Sequence, residues 1–74
     1  MDPRDSELLV AIGRNLAAGR ARADLTQEQV AQLIGMLGQQ YQRMERGRHD
    51  TGITKYVHAA RAIGMPISEL FHGL

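Results

Sequence analysis

Between Thr26 and Gly47 the chain encodes two short helices with almost nothing between them, and that pairing restricts its fold more than any other feature. Thr26 is placed to cap a backbone N–H, while Gln29, three residues on, can reach back, which makes a capping box. Leu25 and Val30 flank the cap at the spacing of a hydrophobic staple. Val30, Leu33 and Ile34 are expected to form the buried face, and Gly35 supplies a left-handed stop. Only Met36 and Leu37 then precede a second helix, expected over residues 38–46. Its Tyr41 and Met44 should point inward, with Gln39, Gln40, Gln42, Arg43 and Arg46 largely outward, and Gly47 should end it. Ala31 is small where the two helices are expected to cross closely.

Helical spacing continues on both sides of this pair, and nothing reads as a strand. Asp2 followed by Pro3 suits a helix start. Leu8, Leu9, Ile12 and Leu16 then recur at intervals of three and four, a stripe along one face. Gly13 and Gly19 weaken that first helix by roughly 1 kcal/mol each relative to alanine, so packing must hold it, and Asp24 is expected to end it. Residues 48–52 form a polar loop by composition. A fourth helix is expected from about Ile53 to Ile63, burying Ile53, Val57, Ala60 and Ile63 or their immediate neighbours, with Gly64 as its stop. Pro66 opens a short fifth segment containing Ile67, Leu70 and Phe71. The expectation is an all-α chain of five closely connected helices.

Size and composition narrow the chemistry. Seventy-four residues enclose one core at most, so residues 1–74 are read as a single domain. There is no cysteine, which excludes disulfides, thiolate zinc sites and a cysteine nucleophile. His49, His58 and His72 lack metal-ligand spacing, Ser6, Thr54 and Ser68 lack a base–acid partnership, and Met36, Met44 and Met65 read as core filler. No enzyme activity, metal or cofactor is expected. No apolar run approaches the roughly 20 residues that span a bilayer, and the amino-terminal residues are not those of a signal peptide. A cytoplasmic location is therefore expected, and Met1 and the ending at Leu74 read as the limits of a complete chain.

The formal net charge of +1 is unevenly spread. Residues 38–61 carry Arg43, Arg46, Arg48, Lys55 and Arg61 against Glu45 and Asp50, a net +3, between segments of −1 on either side. A basic middle of this kind suits an anion-facing surface. The exposed face of the second short helix would be free to enter the major groove of DNA, which accepts one α-helix.

The segment running from Leu25 to Gly35, LTQEQVAQLIG, resembles the "LTQEELAEKLG" pattern of the Cro and phage-repressor (Xre-type) helix-turn-helix domains. Arg43-Met44-Glu45-Arg46-Gly47 is similar to that family's "RIERG". Residues 60–65 and 68–71 are similar to its closing "AKALGV" and "DELF", so the likeness covers about residues 12–71. The resemblance implies a five-helix, lambda-repressor-like domain with the helix-turn-helix at helices 2 and 3. It also implies a transcriptional regulator that binds double-stranded DNA, in a prokaryotic nucleoid or phage-encoded. In that setting Gln39, Gln40 and Arg43 would read base edges, since glutamine pairs with adenine and arginine with guanine. Gln27, Gln42, Arg46, Arg48 and His49 would hold phosphates. Arg20 and Glu45 would form a structural ion pair. A single module this small buries limited DNA surface, which suggests a homodimer on an inverted repeat, with Ile67, Leu70, Phe71 and Leu74 as the exposed apolar interface.

The chain departs from the family pattern in places. Leu37 stands where a Ser or Thr usually caps the recognition helix, and Gly38 after it has no side chain to reach a base. Tyr41 replaces a small aliphatic residue, Thr51 a common proline, and Gly19 a common apolar residue. The alternative reading is a protein-interaction module or antitoxin component that keeps the fold with little sequence-specific DNA readout.

Overall fold

The computed structural model describes residues 2–48 and 52–74. Five helices follow in order: α1 (Pro3–Arg22), α2 (Gln27–Leu33), α3 (Gly38–Arg46), α4 (Ile53–Ala62) and α5 (Ile67–Leu70). Asp2 caps α1, its carboxylate accepting from the Arg4 N–H at 2.7 Å, with Pro3 in the first turn. At α2 the capping box is complete: the Gln29 N–H donates to Thr26 Oγ1 at 3.1 Å, and the Thr26 N–H donates to Gln29 Oε1 at 2.8 Å.

Helices α1 to α4 all stop in the same way. A residue in left-handed conformation (Asp24, Gly35, Gly47 or Gly64) follows the helix, and the next N–H turns back to a carbonyl five residues earlier. At the turn between α2 and α3, for example, the Met36 N–H reaches the Ala31 carbonyl at 2.8 Å. This stop uses few residues, so one helix can follow closely on another and pack against it. The radius of gyration, 11.1 Å, is close to the ~11 Å of a tightly packed chain of this length. The arrangement is the all-α, lambda-repressor-like one.

Leu16, Val30, Ala31, Tyr41, Met44, Tyr56, Ala59, Ala60 and Leu70 form the fully buried core, with Ile12 and Met65 at its edge. Helix α3 packs mainly on α1 and α2. Gly13 makes the α1–α3 contact possible, because a Cβ there would collide with the backbone carbonyls of Met44 and Glu45. What reads in the sequence as a weak point of α1 is a site of close approach. Gly19 likewise faces Met65 and Ile63.

Two expected burials and one expected exposure are corrected. Leu33 is 61% exposed: Val30, Ile34 and Ala31 span an arc of about 100° on α2, and Leu33 falls outside it. Ile53, at the first position of α4, is 50% exposed, and that helix buries Tyr56, Ala59 and Ala60 instead. Leu70 is fully buried. Helix α5 is a single turn lying against α1 and α4, and Leu70 is the residue it turns into the core.

Candidate nucleic-acid interface

Helix α3 divides cleanly by face. Tyr41, Met44 and Glu45 are buried, while Gln39, Gln40, Arg43 and Arg46 are exposed and Gln42 is half-buried. Gln39, Arg43 and Arg46 follow one another at spacings of four and three, one outward stripe. Arg48, just past Gly47, is also exposed. None of Arg43, Arg46 and Arg48 forms an ion pair with a described residue.

The one carboxylate of α3 points the other way. Glu45 lies under the helix, where Arg20 donates to it twice: Nε to Oε2 at 2.6 Å and Nη2 to Oε1 at 3.0 Å. Arg20 Nη1 also donates to the Leu25 carbonyl at 2.9 Å, so one guanidinium ties α1 to the α1–α2 turn and to α3. Burial alone would raise the Glu45 carboxyl, but hydrogen bonding and charge from Arg20, with support from Tyr41 and Gln27, outweigh it and hold the group below the ordinary carboxylate value. The hydrogen bond to Glu45 raises Arg20 in turn, against the opposing effect of burial. Among the described residues, the outer face of α3 is thus left with amides and cations that have no carboxylate partner.

Gln27 lies at the amino end of α2, half-buried, with Nε2 donating to Glu45 Oε1 at 2.9 Å. Its side chain is therefore held in place by the same carboxylate that holds Arg20. The Tyr41 ring fills the core beneath α3. Its hydroxyl is buried near the Arg20–Glu45 pair without a hydrogen bond of standard geometry to either. Desolvation first, then interaction with the Glu45 carboxylate, push that phenol far above its ordinary value.

At the amino end of α3, Leu37 occupies the cap position with extended backbone and makes no side-chain cap hydrogen bond. The Glu28 carboxylate stands where a Cβ on Gly38 would be. A negative charge near the amino end of a helix is favourable, so Glu28 offsets part of the missing cap. Nothing in the local sequence pattern signals this contact between α2 and α3.

Of the other sites expected from sequence, His49 lies outside the described residues. At the carboxyl end Ile67, Phe71 and Leu74 are exposed, but Leu70 is not, so it is removed from the expected apolar interface. Asn15, which the sequence reading passes over, anchors this end: Nδ2 donates to the Leu70 carbonyl at 3.0 Å and to the His72 carbonyl at 2.9 Å.

The family profile described as a helix-turn-helix domain matches residues 11–72 of this chain. The chain belongs to the helix-turn-helix family. Such domains are non-catalytic DNA-binding modules, and α2 and α3 are the paired helices of this one. The helix-turn-helix chain is also 33% identical, over 63 residues, to an uncharacterized transcriptional regulator in the ATPase CF(0) region of Rhodospirillum rubrum. That alignment covers 85% of this chain and 58% of the relative. Among the described residues no group of acidic or histidine side chains could hold a metal ion. No described helix is long and apolar enough to cross a membrane.

Proposed function

We propose that this helix-turn-helix domain is a sequence-specific regulator of transcription that binds double-stranded DNA as a homodimer on an inverted repeat. The observation that carries the reading is the outer face of α3, where Arg43 and Arg46 have no described carboxylate partner and Glu45 is turned inward against Arg20. A groove lined with phosphates attracts such a face, and its donors match base edges. Gln39, Gln40 and Arg43 are assigned to base reading, and Gln27, Gln42, Arg46 and Arg48 to phosphates. His49 keeps its expected phosphate role from the family resemblance alone. The name of the Rhodospirillum rubrum relative, a transcriptional regulator, agrees with this role.

A homodimer would join through Ile67, Phe71 and Leu74, three exposed apolar residues within residues 67–74. Residues 1–74 would act as one DNA-binding unit in the cytoplasm.

The test is enrichment of a random duplex library on the purified protein at ~150 mM salt. Recovery of an inverted repeat, with half-site centres about 10 base pairs apart or a multiple of that, is the expected result. Arg43→Ala should then lose affinity for the recovered site far more than for random DNA. Arg48→Ala should weaken both alike and reduce the salt slope by ~1. Weak, salt-sensitive binding with no recovered motif would reduce the helix pair to a scaffold for another partner.

A further inference from the structure

Leu37 is the most exposed large apolar side chain at the helix-turn-helix, 70% accessible, at the amino tip of α3. Its position would ordinarily be used to cap the helix, yet it offers no hydrogen-bonding side chain to do so. Gly38 follows with no side chain at all, and the Glu28 carboxylate fills the space beside it. The first side chain that α3 extends at its tip is therefore a bare isobutyl group, immediately ahead of Gln39 and Gln40.

We infer that Leu37 is a base-reading residue that packs on the C5-methyl group of a thymine. The inference rests on the proposed DNA binding and adds a determinant of specificity to it. In helix-turn-helix docking the amino-terminal residues of the recognition helix meet the base edges. Among the groups displayed in the major groove, the thymine methyl is the largest apolar one, and the features that distinguish the other bases are hydrogen-bond donors and acceptors. A leucine pressed against a donor or acceptor would strip it of water and return nothing. Against a methyl group both partners lose apolar surface to water. Polar neighbours at Gln39, Gln40 and Arg43 would supply hydrogen-bonding readout of the adjacent pairs, and Leu37 would select thymine beside them.

The test uses synthetic duplexes carrying the enriched site, with each thymine singly replaced by uracil, which removes only the methyl group. Wild-type protein should bind roughly fourfold more weakly when one particular thymine of a half-site is replaced. Leu37→Ser should bind the thymine and uracil duplexes alike at that position. Serine can cap α3, so this variant is expected to fold, and its thermal melt checks that it does. Leu37→Ala, which adds no hydroxyl, should lose the same discrimination. If wild type and both variants discriminate equally at every thymine, Leu37 does not read DNA and the inference falls, while DNA recognition stands. If no duplex is enriched at all, the proposed function falls and this inference with it.

Discussion

Arg20 and Glu45, 25 residues apart in sequence, meet through two parallel hydrogen bonds beneath the recognition helix. The pair does two things at once. It fixes the distance of α3 from α1, and it draws the carboxylate of α3 off the face that presents Arg43 and Arg46. Gln27 and the Leu25 carbonyl join the same network. One buried charge and the groups that satisfy it thus link α1, α2 and α3, in addition to the core packing of Val30, Ala31, Tyr41 and Met44.

Arg20→Ala would leave the Glu45 carboxylate buried without its cation. The expected loss is about 3 kcal/mol, the lower end for breaking a buried pair, because part of the guanidinium is exposed to solvent. Replacing both residues by methionine should cost less than Arg20→Ala, since no buried charge would then remain. Urea midpoints of the three proteins decide the order.

The same pair predicts an acid sensitivity. Glu45 is held below its ordinary value of 4.5 in the folded chain, so its contribution is fully present above pH 4.5 and is lost as pH falls through the lower folded value. Wild type should lose stability more steeply below pH 4.5 than Glu45→Gln does. Asp2 is also lowered, chiefly by the backbone hydrogen bond from Arg4, but it is present in both proteins and cancels in the comparison. Parallel pH profiles of melting temperature would show that Glu45 contributes nothing.

Two glycines of α1 should respond differently to alanine. Each substitution gains roughly 1 kcal/mol of helix propensity. At Gly13 the new Cβ would meet two backbone carbonyls of α3, which cannot move without separating the helices. Gly13→Ala should therefore be destabilised by about 2 kcal/mol or more. At Gly19 the nearest atom is the sulfur of Met65, the flexible end of a side chain. Gly19→Ala should stay within about 1 kcal/mol of wild type. Calorimetric melts of both variants give the comparison.

The two tyrosines offer a matched test of hydrogen-bond satisfaction. Tyr56 donates to the Met44 carbonyl at 3.1 Å, whereas the buried Tyr41 hydroxyl has no partner of good geometry. Tyr56→Phe should lose about 1 kcal/mol, and Tyr41→Phe should lose less, because its hydroxyl gives up no hydrogen bond of good geometry. Denaturant unfolding of the pair measures the order.

Local signals made the helices legible. Thr26 and Gln29, Gly35, Gly47 and Gly64 act within a few residues of their own position, through caps and left-handed stops that need no distant partner. For that reason the bounds of α3 and the inward direction of Tyr41 and Met44 could be read along the chain. Gln39, Arg43 and Arg46 were legible as outward-facing because helical spacing places them opposite Tyr41 and Met44.

Whatever depends on how helices cross was decided only in three dimensions. Leu33, Ile53 and Leu70 are all apolar, and nothing local says that the first two face solvent while the third plugs the core. That depends on which arc of each short helix its neighbours cover. Gly13 looks like a defect in α1 until the backbone of α3 is placed against it. Glu28 beside Gly38, and Gln27 on Glu45, bring together residues from different helices. The sequence determined where α1 and α2 start and where α1 to α4 stop, because those caps and stops are local interactions. The tertiary structure determined which faces stay open to a partner, because burial is a property of the whole packed assembly.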